Sequence, residues 1–284
     1  MIELQGITKT FGDKVAVDHL SLTLEPGTIT GFIGPNGAGK TTTIRMLCGI
    51  LRPDEGKITI NGIDLKRDPI KAKEQFAYVS DDPDLFTALK GTEYINFICD
   101  IYRVPKEKRE GRLLELLDTF EMREAIGNRI SSYSHGMQQK IHIIAALMHE
   151  PNIWIMDEPM TGLDPQASFL LKKRMKEHAA KGNIVLFSTH VLEVAEKLCD
   201  RIAIINKGQM KYTGTLEALQ QQYPNLTLEE IFLRVTESRV LAEDGQDAQD
   251  GGNHATGQDV QNEQKLQNEQ ELQNEQEAQE GQEV

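Results

Sequence analysis

No stretch of this 284-residue chain stays apolar for the roughly 20 residues that a membrane helix needs. The opening MIELQGITKTFG has no continuous apolar core of the kind a secretory leader carries. The expectation is a soluble, cytosolic chain that meets a membrane only if another chain holds it there. Cysteine is scarce as well. Cys48, Cys99 and Cys199 lie far apart, with no C-x-x-C pair and no metal-ligand spacing. That excludes a disulfide scaffold and predicts buried thiols in a reducing compartment. Basic residues are not in excess: 31 Lys and Arg face 44 Asp and Glu, a formal net charge of −13. The acidity is local. Residues 242–284 hold 12 acidic residues and one Lys, which leaves residues 1–241 at −2. A nearly neutral body lacks the electrostatic footprint of a nucleic-acid binder.

What is present is a regular alternation of apolar strands and helical segments. ITGFIG (29–34) reads as a short buried strand, and TTTIRMLCGI (41–50) follows it with helical spacing and a glycine near its end. KITINGIDL (57–65) carries Asn61-Gly62 between β-prone residues, a hairpin signal. From about 88 to 149 the pattern is helical. NIWIMDEP (152–159) and NIVLFSTH (183–190) are continuous apolar runs, as expected of parallel strands covered on both faces. RIAIINKGQMKYTG (201–214) reads as strand, Lys-Gly turn, strand. The order predicts an α/β fold with the 88–149 block inserted as a helical lobe. The tail differs. From Gln261 it repeats a hexad (QNEQKL, QNEQEL, QNEQEA, QEGQEV), a period that matches neither 3.5 nor 3.6. Leu266, Leu272 and Ala278 cannot share a helix face, and so few apolar groups predict a disordered tail over 242–284.

The chemistry begins at GPNGAGKT. Gly34, Pro35, Asn36, Gly37, Ala38, Gly39, Lys40 and Thr41 fit G-x-x-x-x-G-K-[ST] between a strand and a helix, with Thr42 next on that helix. Glycines let backbone N–H groups wrap a phosphate, Lys40 supplies a point charge for the β- and γ-phosphates, and the Thr41 hydroxyl suits Mg²⁺. A glycine-rich turn with a chance lysine is the bland alternative, and the flanking strand and helix argue against it. Asp157 follows the run IWIM, at the carboxyl edge of a sheet where ligands of open α/β folds bind. It is placed to hold Mg²⁺ directly or through water. Glu158, immediately after, is placed to orient or deprotonate an attacking water. A simple capping role for one of the two acids is the alternative. His190 ends a further strand and becomes a candidate contact for the γ-phosphate. TGLDP (161–165) forms a tight turn carrying Asp164. YSHGMQQK (133–140) poses a separate question, because Ser134 reads as an N-cap and Gly136 allows close backbone approach. The helix start is therefore a second anion site in a chain that already has one.

GPNGAGKT, YSHGM, IWIMDEP, TGLD and STH, in that order and spacing, resemble the nucleotide-binding subunit of an ATP-binding cassette (ABC) transporter of bacterial export type. The resemblance covers roughly residues 2–235. It implies a P-loop NTPase (RecA-like) parallel sheet with an antiparallel β subdomain, a helical subdomain near 88–149, and ATP hydrolysis with Mg²⁺. It implies that Phe11 stacks on adenine, that Asp164 belongs to the D-loop, and that Asp81 stands at the Q-loop position. Two cassettes would pack head to tail, so that Ser134, His135 and Gly136 complete the partner's ATP site rather than their own. The partners implied are a polytopic membrane permease, contacted around Asp82, Leu85 and Phe86 and the helical lobe, and a second cassette, identical or different. No nucleic acid is expected. The chain would lie peripherally on the inner face of the cell membrane. Three departures stand out: His135 replaces the first glycine of the family's LSGGQ signature, Met137 replaces its glutamine, and Asp81 replaces the usual Gln. A carboxylate can bind Mg²⁺ but cannot donate a hydrogen bond. Two other readings are a cassette ATPase acting on ribosomes or DNA, and a nucleotide-gated binding module without hydrolysis. The single cassette without a long heptad insert argues against the first, and the presence of Glu158 and His190 against the second.

Overall fold

The computed structural model describes residues 1–81 and 86–236. Residues 82–85, which include Asp82 and Leu85, and the acidic tail lie outside the described residues. Ten strands and nine α-helices are present among those described. A six-stranded sheet has the order β10-β9-β3-β8-β7-β6, built from β3 (Ile29–Ile33), β6 (Phe76–Val79), β7 (Ile153–Met156), β8 (Ile184–Thr189), β9 (Arg201–Asn206) and β10 (Gln209–Thr215). All its pairs are parallel except the β9–β10 hairpin at one edge. The continuous apolar runs have the predicted cause: every residue of β3, β7 and β8 is buried.

Successive side chains of these strands point to opposite faces, so each strand feeds two cores. Ile153 and Ile155 of β7, with Ile184 and Leu186 of β8, join one cluster. Trp154 and Met156, with Val185 and Phe187, join the other. The first cluster lies against a four-stranded antiparallel sheet, order β2-β1-β4-β5: β1 (Ile2–Phe11), β2 (Lys14–Leu24), β4 (Glu55–Ile60) and β5 (Ile63–Asp64). The second is shared with the helices between β6 and β7, α3 (Gly91–Ile101), α4 (Lys106–Thr119) and α5 (His135–Leu147), and with α6 (Pro165–Ala180) and α7 (Leu192–Leu198). The turn Asn61-Gly62 has φ of 50° and 78°, the pair of positive values that a two-residue hairpin between twisted strands demands.

Local signals end the elements where the sequence places them. The helix α1 (Lys40–Leu47) closes on Gly49 at φ 63°, whose N–H meets the Met46 carbonyl while Ile50 N–H meets that of Arg45. All three cysteines are free and buried, and burial raises each thiol's pKa, which keeps it inert. No helix among the described residues is long and apolar enough to cross a membrane.

Candidate functional site

The carboxyl ends of β3, β7 and β8 meet at one edge of the parallel sheet and deliver Gly34, Asp157 and His190 respectively. From β3 the chain makes a tight loop and enters α1. Gly37 and Gly39 have φ of 75° and 108°, a region costly for side-chain-bearing residues. At Gly39 a Cβ would also overlap the Ala16 carbonyl. The loop encloses a cavity of about 570 Å³. Pro35, Asn36, Gly37, Gly39, Lys40, Thr41 and Thr42 line it, together with Phe11, Asp81 and Glu158. Phe11 is 50 % exposed at the rim, at the end of β1. Gly34 and Ala38 stand behind the wall. The Gly34 carbonyl accepts from Lys40, and Ala38 N–H is bound to the Pro35 carbonyl.

Lys40 is the buried cation of the loop. Its Nζ donates to the Gly34 carbonyl at 2.7 Å and lies 4.0 Å from Glu158 Oε1. Burial lowers its pKa, opposed by the Glu158 and Asp157 charges. Asp157 is fully buried. Its Oδ1 accepts from Ser188 Oγ at 2.5 Å, while Oδ2 has no hydrogen-bond partner. Burial raises its pKa; the Ser188 and Thr41 hydroxyls favour the charged form, and the Asp81 and Glu158 charges oppose it. Glu158 has φ 45°, unusual for a side chain of its size. Its N–H donates to Ser188 Oγ at 2.9 Å, and its Oε2 lies 3.0 Å from His190 Nδ1. Asp81 takes a bond from Ser80 Oγ at 3.3 Å and lies 3.8 Å from Arg45 Nη2.

One group of predicted residues lies elsewhere. Ser134, His135 and Gly136 are not among the residues that line the cavity. Ser134 caps α5, its Oγ accepting the Met137 N–H at 3.3 Å, which leaves its own O–H free to donate. Asp164 likewise caps α6 through the Ala167 N–H at 2.7 Å. Sequence reasoning missed Ser188, which ties Asp157 to Glu158. Its signal was a hydroxyl inside the otherwise apolar run IVLFS, since buried polar side chains have partners. It also missed Lys207 and Gly208, which line the cavity from the β9–β10 turn.

A glycine-walled anion loop, a buried lysine, and two acids with a histidine at the same sheet edge define a P-loop nucleotide hydrolase of the cassette kind. Comparison with known proteins agrees. The ABC transporter family matches residues 17–161. The ABC-type transporter ATP-binding protein EcsA of Bacillus subtilis is 37% identical over 238 residues, covering 83% of this chain and 96% of that protein. The Nod factor export ATP-binding protein I of Rhizobium leguminosarum is 32% identical over 231 residues, 81% of this chain and 74% of that one. A solved ATP-binding subunit of an ABC transporter superposes with TM-score 0.79 at 33% identity, covering 83% of this chain and 99% of that one. A dimeric ATP-binding cassette in a post-hydrolysis state, bound to ADP and Pi, gives TM-score 0.70 at 25% identity, covering 76% and 99%. The chain belongs to the ABC transporter family, as an ATP-binding, ATP-hydrolysing subunit.

Proposed function

We propose that this subunit powers export through a separate membrane-spanning permease, as one of two cassettes that share each ATP. The residues of one cassette span about 2–235. The observation that carries the reading is the split of anion-binding parts. One set lines the cavity, and the other, at the start of α5, stands outside it, where Ser134 caps the helix. A second cassette supplies what each site lacks. Ser134 and the backbone at Gly136 donate neutral hydrogen bonds to the terminal phosphate held by the partner's loop. ATP then stabilises the closed pair because it is fully contacted only there.

Within one site, Phe11 stacks on the adenine, and the backbone of Gly34–Gly39 with Lys40 and Thr42 holds the phosphates. Lys40 exchanges the Gly34 carbonyl for phosphate oxygens. The protein groups fit Mg²⁺: the Thr41 hydroxyl and the partnerless Oδ2 of buried Asp157, with Asp81 at the cavity wall. No group of three or more His, Cys, Asp or Glu among the described residues forms a metal cage of its own. That suits an ion that takes one or two protein ligands beside phosphate oxygens. Bound there, Mg²⁺ neutralises phosphate charge. Glu158 orients the attacking water and accepts its proton, while His190, 3.0 Å from Glu158 Oε2, fixes that carboxylate and reaches toward the γ-phosphate.

The permease-facing surface includes Phe86, which stacks on Tyr94 at 5.1 Å and lies 5.6 Å from Phe97. Phe86 and Phe97 are both 43% exposed, an apolar patch at one end of the helical lobe. Peripheral membrane location follows from this contact. Purifying the tagged chain from detergent-solubilised membranes tests the reading. A polytopic membrane protein comes with it; recovery only as a free chain, with and without ATP, refutes it.

A further inference from the structure

The start of α5 is not a free-standing turn. It is fastened to the loop that follows Glu158 in the same chain. Lys140 Nζ lies 2.6 Å from Asp164 Oδ2, and the Lys140 side chain is only 12% exposed. The other Asp164 oxygen caps α6, so the carboxylate is held at both ends. Gln139, buried, donates to the Pro159 carbonyl at 3.5 Å. A Cβ on Gly136 would overlap the Gly162 carbonyl, and one on Gly162 would overlap the imidazole of His135. Residues 135, 136, 139 and 140 share one face of a helix. That face is seated on residues 159–164. The loop is itself tight: Thr161 N–H meets the Glu158 carbonyl at 3.1 Å, and Leu163 N–H meets that of Met160 at 3.2 Å. A run of short contacts therefore links the backbone of Glu158, in one ATP site, to Ser134, which serves the other.

We propose that Lys140 and His135 are positioning residues. They fasten the Ser134 turn to the loop after Glu158, so that the turn is presented to the partner's ATP in the position that loop dictates. The proposal rests on the reading that Ser134 serves the partner's site. It assigns a use to His135, whose imidazole packs on Gly162 where a glycine would leave only the Gly136 backbone. It also separates two roles of Asp164: capping α6, which Asn performs as well, and holding Lys140, which needs the charge.

The test is a double-mutant cycle on steady-state ATP hydrolysis by the full chain. Lys140→Met and Asp164→Asn each lower kcat about tenfold while KM for ATP moves less than about twofold, the pattern of a contact used in the transition state. The double variant is no slower than the slower single, and Lys140→Arg restores the rate. His135→Gly shows a smaller kcat loss. Asp164→Asn keeps the α6 cap, so it carries the test if Lys140→Met melts early. Parent-like kcat in both single variants, multiplicative losses in the double, or a rise in KM alone overturns the proposal. Ser134→Ala, measured alongside, distinguishes the failures. If Ser134→Ala is slow and Lys140→Met is not, the fastening fails alone. If neither is slow, the reading of the Ser134 turn fails with it.

Discussion

Ser188→Ala is the most informative single change at the site, because the hydroxyl is not itself a predicted ligand yet serves both acids. It donates to Asp157 Oδ1 at 2.5 Å and accepts the Glu158 N–H at 2.9 Å, all inside a fully buried strand end. A hydrogen bond to a charged group contributes about 1.5–3 kcal/mol, and leaving a backbone N–H without an acceptor costs about 1 kcal/mol more. The direct loss is therefore about 3 kcal/mol. Burial raises the Asp157 pKa and Ser188 is the leading influence holding it down, so the loss falls mainly on the charged carboxylate. Unfolding free energy should fall by less than the full sum. The remainder appears where Asp157 must be charged, in the Mg²⁺ dependence of hydrolysis. At 1.4 kcal/mol per factor of ten, about 2 kcal/mol raises the Mg²⁺ concentration for half-maximal rate roughly 30-fold. The assay is ATP hydrolysis titrated with Mg²⁺ at fixed ATP, beside chemical denaturation of both proteins. An unchanged Mg²⁺ midpoint with a parent-like rate would contradict a role for Ser188 in holding Asp157 and Glu158.

Glu158→Gln removes the carboxylate proposed to activate water but keeps its shape. ATP binding persists, turnover ceases, and ATP-loaded dimers accumulate in size-exclusion chromatography; parent-rate hydrolysis by this variant sinks the assignment. Phe86→Asp or Phe97→Asp places a charge in the exposed aromatic patch and abolishes co-purification of the permease while nucleotide affinity holds; retained co-purification moves the docking face elsewhere. Acid lability should come from two histidines with buried ring nitrogens, half-buried His149 stacked on Tyr102 and buried His178 stacked on Trp154. Burial lowers each pKa to about 4, below the ordinary 6.5, so between those values the unfolded chain binds more protons than the folded one. Stability therefore falls as pH drops through that window, by about 2 kcal/mol per histidine at pH 5. Denaturation midpoints equal at pH 7.5 and pH 5 would contradict this.

The parallel strands and the phosphate loop were legible because their signals are local. IWIM and IVLF are apolar on every residue, and the reason is burial on both faces. Asn61-Gly62 and Lys207-Gly208 announce hairpins by the positive φ their geometry requires. The long β1–β2 pair was not read from its pattern. Its pairing register shifts at Leu4–Ile7 and again near Lys9, which breaks the strict alternation that a strand signal depends on. At the site, Lys40 begins α1, and Asp157 and Glu158 directly follow β7, both recognisable in the sequence. Ser188 showed only as a lone hydroxyl in an apolar run, and the Lys140–Asp164 pair was not visible. Their meaning lies in contacts across 31 and 24 residues of chain, and no local spacing encodes these.

Each ATP is proposed to be held by the loop of one copy and closed by the Ser134 turn of another. Two chains expected to be inactive test it, Lys40→Ala, which removes the lysine proposed to hold the phosphates, and Ser134→Arg, which fills the turn. Mixed pairs contain one site built wholly from intact parts, so mixing equal amounts should restore about a quarter of the parent ATPase rate, given random two-fold pairing. A mixture as inactive as either variant alone would contradict it.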